Sequence, residues 1–147
     1  MGSCDSIHIE DVSVEEAWAR LSSEADTILI DVRTRAEWAF VGLPDLSNLG
    51  KQVVRIEWQS FPENQVDAAF SERLSEFLSS AGIGKDAELL FICRSGSRSR
   101  HAAEVMAAQG YQRCRNVADG FEGPLDAHRH RGTQAGWKAA GLPWVQG

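Results

Sequence analysis

The apolar positions of this chain fall into short, nearly continuous runs separated by longer stretches of helical period. Glu88-Leu89-Leu90-Phe91-Ile92 is one such run and Thr27-Ile28-Leu29-Ile30 is another. Runs of this length, bounded by polar residues, predict strands buried on both faces of a parallel sheet. Val53-Val54-Arg55-Ile56 and Cys114-Arg115-Asn116-Val117 predict two further strands, and Ile7-His8-Ile9 a short one. Elsewhere the period is helical. Val14, Ala17, Trp18 and Leu21 share one apolar face behind Ser13 and Glu16, which have capping-box spacing. Arg35 to Phe40 predicts a short helix carrying Glu37 and Trp38. Phe70, Leu74, Phe77, Leu78 and Ala81 mark an amphipathic helix stopped by Gly82. Arg98 to Gln109 is again helical, and Gly110 can end it in the left-handed conformation. A short terminal helix is expected from Ala135 to Ala140. Gly42 to Gln52 and Glu57 to Asp67 read as irregular, and Phe121 to Arg131 shows no clear period. Strands separated by helices imply an α/β fold: a parallel β-sheet flanked by helices on both faces.

The junction Ile92-Cys93-Arg94-Ser95-Gly96-Ser97-Arg98-Ser99 holds the densest chemistry. A strand that feeds a helix through a short loop of small residues turns its backbone N–H groups toward a common centre. That centre lies at the positive end of the helix dipole, so the loop is an anion cradle. Cys93 stands at its lip, where this field favours the thiolate. Arg94 and Arg98 add formal positive charge. In parallel sheets ligands bind outside the carboxyl ends of the strands, and Asp31 ends another predicted strand. Asp31 reads either as orienting an arginine or loop amide of the site or as capping its own turn. Arg33 reads as a rim residue or a structural ion pair, and Trp38 as pocket wall or core.

Composition narrows the partners. With 147 residues, 43% of them hydrophobic, the chain has enough material for one domain with its own core; the first six residues are expected to be a flexible N-terminus or an appended scar. The net charge of −6 argues against nucleic acid and makes a positive loop stand out against the protein's overall sign. No stretch approaches the apolar length of a membrane span, and no basic region precedes an apolar core at the N-terminus, so neither membrane insertion nor a signal peptide is expected. Met1 to Ser6 matches a short N-myristoylation pattern, but no polybasic patch follows it. The three cysteines, Cys4, Cys93 and Cys114, are odd in number and irregularly spaced, which suits free thiols in a cytoplasmic protein. His128 and His130 lack metal-ligand spacing, His101 reads as a base near Cys93 or as a surface residue of a first helical turn, and no Walker or nucleophile-elbow pattern occurs. No metal or cofactor is expected.

On these residues the chain resembles the rhodanese family of sulfurtransferases. The matching pieces are Leu29-Ile30-Asp31-Val32-Arg33 with Glu37-Trp38, the loop from Ile92 to Ser99, Asn116-Val117 with Asp119-Gly120, and the tail from Gly136 to Trp144. The resemblance spans about Ile7 to Trp144. It implies a rhodanese-like fold and a thiosulfate sulfurtransferase in which Cys93 takes a sulfane sulfur as a persulfide. Backbone groups of Arg94, Ser95, Gly96, Ser97, Arg98 and Ser99 would hold that sulfur, with Asp31 in support. The Arg94 and Arg98 side chains would attract a small anionic donor. Cyanide or a thiol, a protein thiol included, would accept the sulfur. The C-x4-R spacing from Cys93 to Arg98 is one residue shorter than the C-x5-R of related phosphatases and arsenate reductases, which fits a single sulfur better than a tetrahedral oxyanion. An oxyanion enzyme of that kind and a non-enzymatic persulfide carrier or binding module are the alternatives. The chain departs from the family at Val41-Gly42-Leu43-Pro44-Asp45 and at Gly120-Phe121, where many members carry two glycines. Phe121 is expected to fill space near the rim.

Overall fold

The computed structural model describes residues 9–40, 42–60, 65–66, 69–94, 96–122, 136–137 and 140–145. The expectations for Met1–Ser6, Ile7, His8, Ser95, His128 and His130 lie outside the described residues. In chain order the elements are β1 (Glu10–Val12), α1 (Val14–Ser23), β2 (Thr27–Asp31), α2 (Arg35–Phe40), β3 (Leu43–Pro44), β4 (Val54–Arg55), β5 (Gln59–Ser60), β6 (Gln65–Val66), α3 (Phe70–Ser80), β7 (Glu88–Ile92), α4 (Ser97–Ala108), β8 (Arg113–Val117) and β9 (Trp144–Val145).

Five strands form the main sheet in the order β1-β8-β7-β2-β4, and every pairing is parallel. The apolar runs are its centre: all five residues of β7 are buried. Alternate residues of each strand supply the two cores. Leu89 and Phe91 with Ile30 face Phe70, Leu74 and Leu78 of α3 and Ala102, Ala103 and Met106 of α4. Leu90, Ile92, Leu29 and Val117 face Val14, Ala17 and Leu21 of α1, together with Phe121 and Trp137. Helices thus cover both faces, as expected. A capping box starts α1: Ser13 Oγ accepts from the Glu16 N–H at 3.0 Å, and Glu16 accepts from the Ser13 N–H at 3.0 Å. Glu88 is polar within the apolar run of β7. It is buried and satisfied by Thr27 at 3.0 Å, by Arg115 at 3.3 Å and by Arg20.

Several boundaries differ from the sequence reading. The first strand lies at Glu10–Val12, beyond the expected Ile7–Ile9. This is an edge strand, whose backbone pairs with β8 from Glu10↔Arg115 to Val12↔Val117 while Glu10 and Asp11 face solvent. Gly42 to Gln52 contains β3, which pairs antiparallel with β9. The stretch from Glu57 contains β5, which pairs with β6. Within the expected terminal helix, the Ala140 N–H donates to the Gly136 carbonyl at 3.0 Å. The chain then extends into β9, and the Trp137 indole donates to the Pro143 carbonyl at 2.6 Å.

The connections place the site. From β2 the chain moves outward to β4, whereas from β7 it moves the other way to β8. Neighbouring strands whose connections diverge leave a crevice at their carboxyl ends. β2 and β7 are such a pair, in register at Asp31↔Ile92, and Cys93 is the next residue.

Candidate active site

Cys93 follows the last residue of β7 and is 1% exposed. The chain turns at Gly96, the N-cap of α4, with φ 105°. A side chain is excluded there twice over. The conformation disfavours L-residues, and a Cβ on Gly96 would stand 2.1 Å from the Ala118 carbonyl oxygen. The turn brings the Gly96 N–H to 3.2 Å from the Cys93 sulfur. One turn into α4, the buried Ser99 hydroxyl lies 3.3 Å from the same sulfur. Ser97 begins the helix; its side chain lies outside the described residues.

A second loop, following β8, locks the first. The Phe121 N–H donates to the Cys93 carbonyl at 2.8 Å and the Glu122 N–H to the Arg94 carbonyl at 3.0 Å. A Cβ on Gly120 would stand 2.5 Å from the Cys93 carbonyl oxygen and 2.6 Å from Arg94 backbone atoms. Each loop therefore presents a glycine to the backbone of the other: Gly96 against Ala118, and Gly120 against Cys93 and Arg94. Phe121 is fully buried, and the Arg33 guanidinium lies 4.4 Å from its ring centre. The expected space-filling role of Phe121 is therefore played below Arg33.

The two arginines of the loop are divided. Arg94 is exposed. Arg98 makes a two-pronged ion pair with Glu37, at 2.7 and 2.9 Å. Glu37 holds Arg98, because Asp31 is engaged elsewhere. Asp31 accepts from the Arg33 backbone N–H at 3.1 Å and from its side chain at 2.7 to 3.1 Å. Arg33 also donates to the Gly42 carbonyl at 2.8 Å. Both side chains are fully buried. Asp31 thus caps its own turn and orients Arg33, the structural ion pair among the two roles open to that arginine. Trp38 is buried, with the Arg55 guanidinium 5.9 Å from its ring centre.

Glu37 has a second duty that sequence reading missed. Its carboxylate accepts from the Thr34 N–H at 3.1 Å, while the Thr34 hydroxyl accepts from the Glu37 N–H at 3.3 Å. This is a capping box for α2, legible in Thr34-Arg35-Ala36-Glu37. Burial pushes the Glu37 carboxyl upward, but Arg98, with its hydrogen bonds and charge, and the Thr34 N–H hold it below its ordinary 4.5. Burial likewise opposes the charge on Arg98. Glu37, with smaller contributions from Cys93 and Asp31, outweighs it and raises Arg98 above its ordinary value. A lowered carboxylate contributes stability that is complete above its unfolded value and is lost as pH falls through the folded one. Acidification from neutral pH to about 3 should therefore lower the Tm of the wild type more steeply than that of Glu37→Gln. At neutral pH the variant should be less stable by about 1–3 kcal/mol. Parallel Tm-against-pH curves would remove this ion pair from the account of acid stability.

Cys114 lies on β8 opposite Leu89, away from the loop. It faces the core, its sulfur 3.7 Å from the Tyr111 carbonyl, and burial, only partly offset by Arg115, pushes its thiol up to about 12. Such a thiol is not a nucleophile at neutral pH. His101 is exposed. Among the described residues no group of three His, Cys, Asp or Glu is placed to hold a metal, and no helix is long and apolar enough to cross a membrane.

The family model described as STR4 middle domain matches residues 9–147. The crystal structure of Rv0390 from M. tuberculosis is similar over 96% of this chain and 100% of that one, with 42% identity and a TM-score of 0.84. An uncharacterized protein of Rickettsia conorii is 36% identical over 136 residues, covering 92% of this chain and 97% of its own. A sulfurtransferase of Allochromatium vinosum is 29% identical over 137 residues, covering 93% and 95%.

Proposed function

The chain belongs to the STR4 middle-domain family, a rhodanese-like family, and on that footing we propose that it moves a sulfane sulfur through a Cys93 persulfide, from thiosulfate or another persulfide donor to a thiophilic acceptor. The observation that carries the reading is the seat of the Cys93 sulfur. It lies at a strand's carboxyl end, 3.2 Å from the Gly96 N–H and 3.3 Å from the Ser99 hydroxyl. A donor aimed at a sulfur, here the Gly96 N–H, stabilises it as an anion, both before attack and when it is expelled.

Two displacements complete the cycle. The Cys93 thiolate attacks the outer sulfur of thiosulfate. A new S–S bond forms, the old one breaks, and sulfite departs with the electron pair. Cyanide or a thiolate then attacks the outer sulfur of the persulfide, and the Cys93 thiolate is the leaving group. The short C-x4-R spacing favours this chemistry over transfer of a tetrahedral oxyanion. Intact mass tests the reading directly. Thiosulfate should add the mass of one sulfur atom, and a reductant should remove it. A protein whose mass does not change would overturn the proposal.

Arg94 has its own expected signature. It adjoins the nucleophile and is exposed, so it suits the approach of a dianionic donor and the departure of sulfite. Solvent screening puts its contact at the low end for charge-assisted hydrogen bonds, about 1.5 kcal/mol, or roughly tenfold in kcat/KM. Arg94→Ala should lose that factor with thiosulfate and keep near-normal rates with a neutral persulfide donor. Equal losses with both donors would assign Arg94 a structural role instead.

A further inference from the structure

Ser99 has one hydroxyl proton and two neighbours that can use it. Its oxygen lies 2.6 Å from Asn116 Oδ1 and 3.3 Å from Cys93 Sγ. The Asn116 amide is oriented by Asp11, whose carboxylate can only accept and lies 3.1 Å from Asn116 Nδ2. Oδ1 must then face Ser99, and since Oδ1 can only accept, the hydroxyl donates to Asn116. In that state Ser99 turns a lone pair toward Cys93, which suits a thiol S–H. The three groups have little contact with water: Ser99 is 0%, Cys93 1% and Asn116 2% exposed.

We propose that Asn116 is a positioning residue that competes with Cys93 for the Ser99 hydroxyl proton and so restrains the anionic form of the sulfur. The inference rests on Cys93 as the nucleophile and adds a control on it. When the thiol gives up its proton to solvent base, the negative sulfur needs a donor where it had an acceptor. Rotation about the Ser99 Cβ–Oγ bond supplies one. The hydroxyl proton stays on oxygen throughout, and only its direction changes from Oδ1 to Sγ. The turn leaves the buried Asn116 oxygen without its partner, and that loss is the restraint. Gly96 donates to the sulfur in either state. The charged groups around this corner are Asp11 from β1, Asp31 from the end of β2, Arg33 just after it, Glu37 from α2, Arg94 beside Cys93, and Arg98 and Arg100 from α4. None of them is altered in the test.

The two residues should therefore have effects of opposite sign. Alkylation of Cys93 by iodoacetamide, followed by intact mass and peptide mapping, reports the thiolate without requiring sulfur transfer. At neutral pH, Ser99→Ala should react about tenfold more slowly than wild type, and Ser99→Thr, which keeps the hydroxyl, should recover most of the rate. Asn116→Ala should react several-fold faster, because the hydroxyl proton is freed for sulfur. In the Ser99→Ala background the same Asn116 change should have no effect. Asn116→Val serves if the alanine variant does not fold, since β-branched residues suit a strand. Slower alkylation in Asn116 variants, or an equal effect with and without the Ser99 hydroxyl, would overturn the proposal. Alkylation as expected in a protein that gains no sulfur from thiosulfate would refute the transfer reaction and leave this proton competition standing.

Discussion

Cys93→Ser is expected to lose the thiosulfate-derived sulfur adduct completely and to reduce turnover by about ten-thousandfold or more, the scale of removing a covalent nucleophile. An alkoxide is not formed at neutral pH in a site whose donors are placed for a sulfur anion, and oxygen does not hold a sulfane sulfur as a stable adduct. Cys114→Ser is expected to keep both adduct and turnover, because that thiol is buried away from the loop and pushed up to about 12. The pair of variants is read by intact mass and by steady-state assay with thiosulfate and cyanide. Turnover that persists in Cys93→Ser would move the chemistry to another residue. An adduct without steady turnover in the wild type would identify a persulfide carrier in place of an enzyme.

The second large effect is expected from a single methyl group. Gly96→Ala introduces a Cβ 2.1 Å from the Ala118 carbonyl oxygen, at a backbone φ of 105°. No rotamer relieves a Cβ, so the loop or its neighbour must move. Movement takes the Gly96 N–H away from the Cys93 sulfur and disturbs the bonds from Phe121 and Glu122 to the cysteine loop. Loss of one donor of this kind costs roughly 10²–10³-fold in the chemical step. Kinetics should show the fall chiefly in kcat, and thermal denaturation a lower Tm, since strain at a special φ and a backbone clash are both destabilising. Wild-type kinetics in this variant would mean that the Gly96 N–H does not support the reacting sulfur. Gly120→Ala makes the reciprocal intrusion, 2.5 Å from the Cys93 carbonyl oxygen, and is expected to follow the same pattern.

What was legible in the chain was whatever depends on near neighbours in sequence. Buried strands announce themselves as apolar runs because both faces meet helices, so β2 and β7 were clear. The strand-loop-helix around Cys93 was clear because the cradle is made from consecutive residues and is closed by a glycine among them. The edge of the sheet was not legible. β1 places Glu10 and Asp11 in solvent, so its pairing with β8 leaves almost no apolar pattern. Nor was the tail, where Trp137 is buried by contacts with the α1-side core and β9 is a strand only because β3 offers a partner.

The residues that tune the site divide along the same line. By itself the sequence determined an α/β chain with a cysteine at a strand end, an anion-seeking loop behind it, and two arginines beside it. These are consequences of local backbone preference and of hydrophobic period. Only the tertiary structure decided which carboxylate holds which arginine: Asp31 closes on Arg33 two residues away, leaving Glu37 to clamp Arg98 from 61 residues away. Only the tertiary structure placed Asn116 beside Ser99 and pressed Gly96 and Gly120 against opposite loops. A buried polar group must find a partner, and a buried backbone must exclude a side chain. Which partner and which backbone depends on how strands far apart in sequence are brought into register.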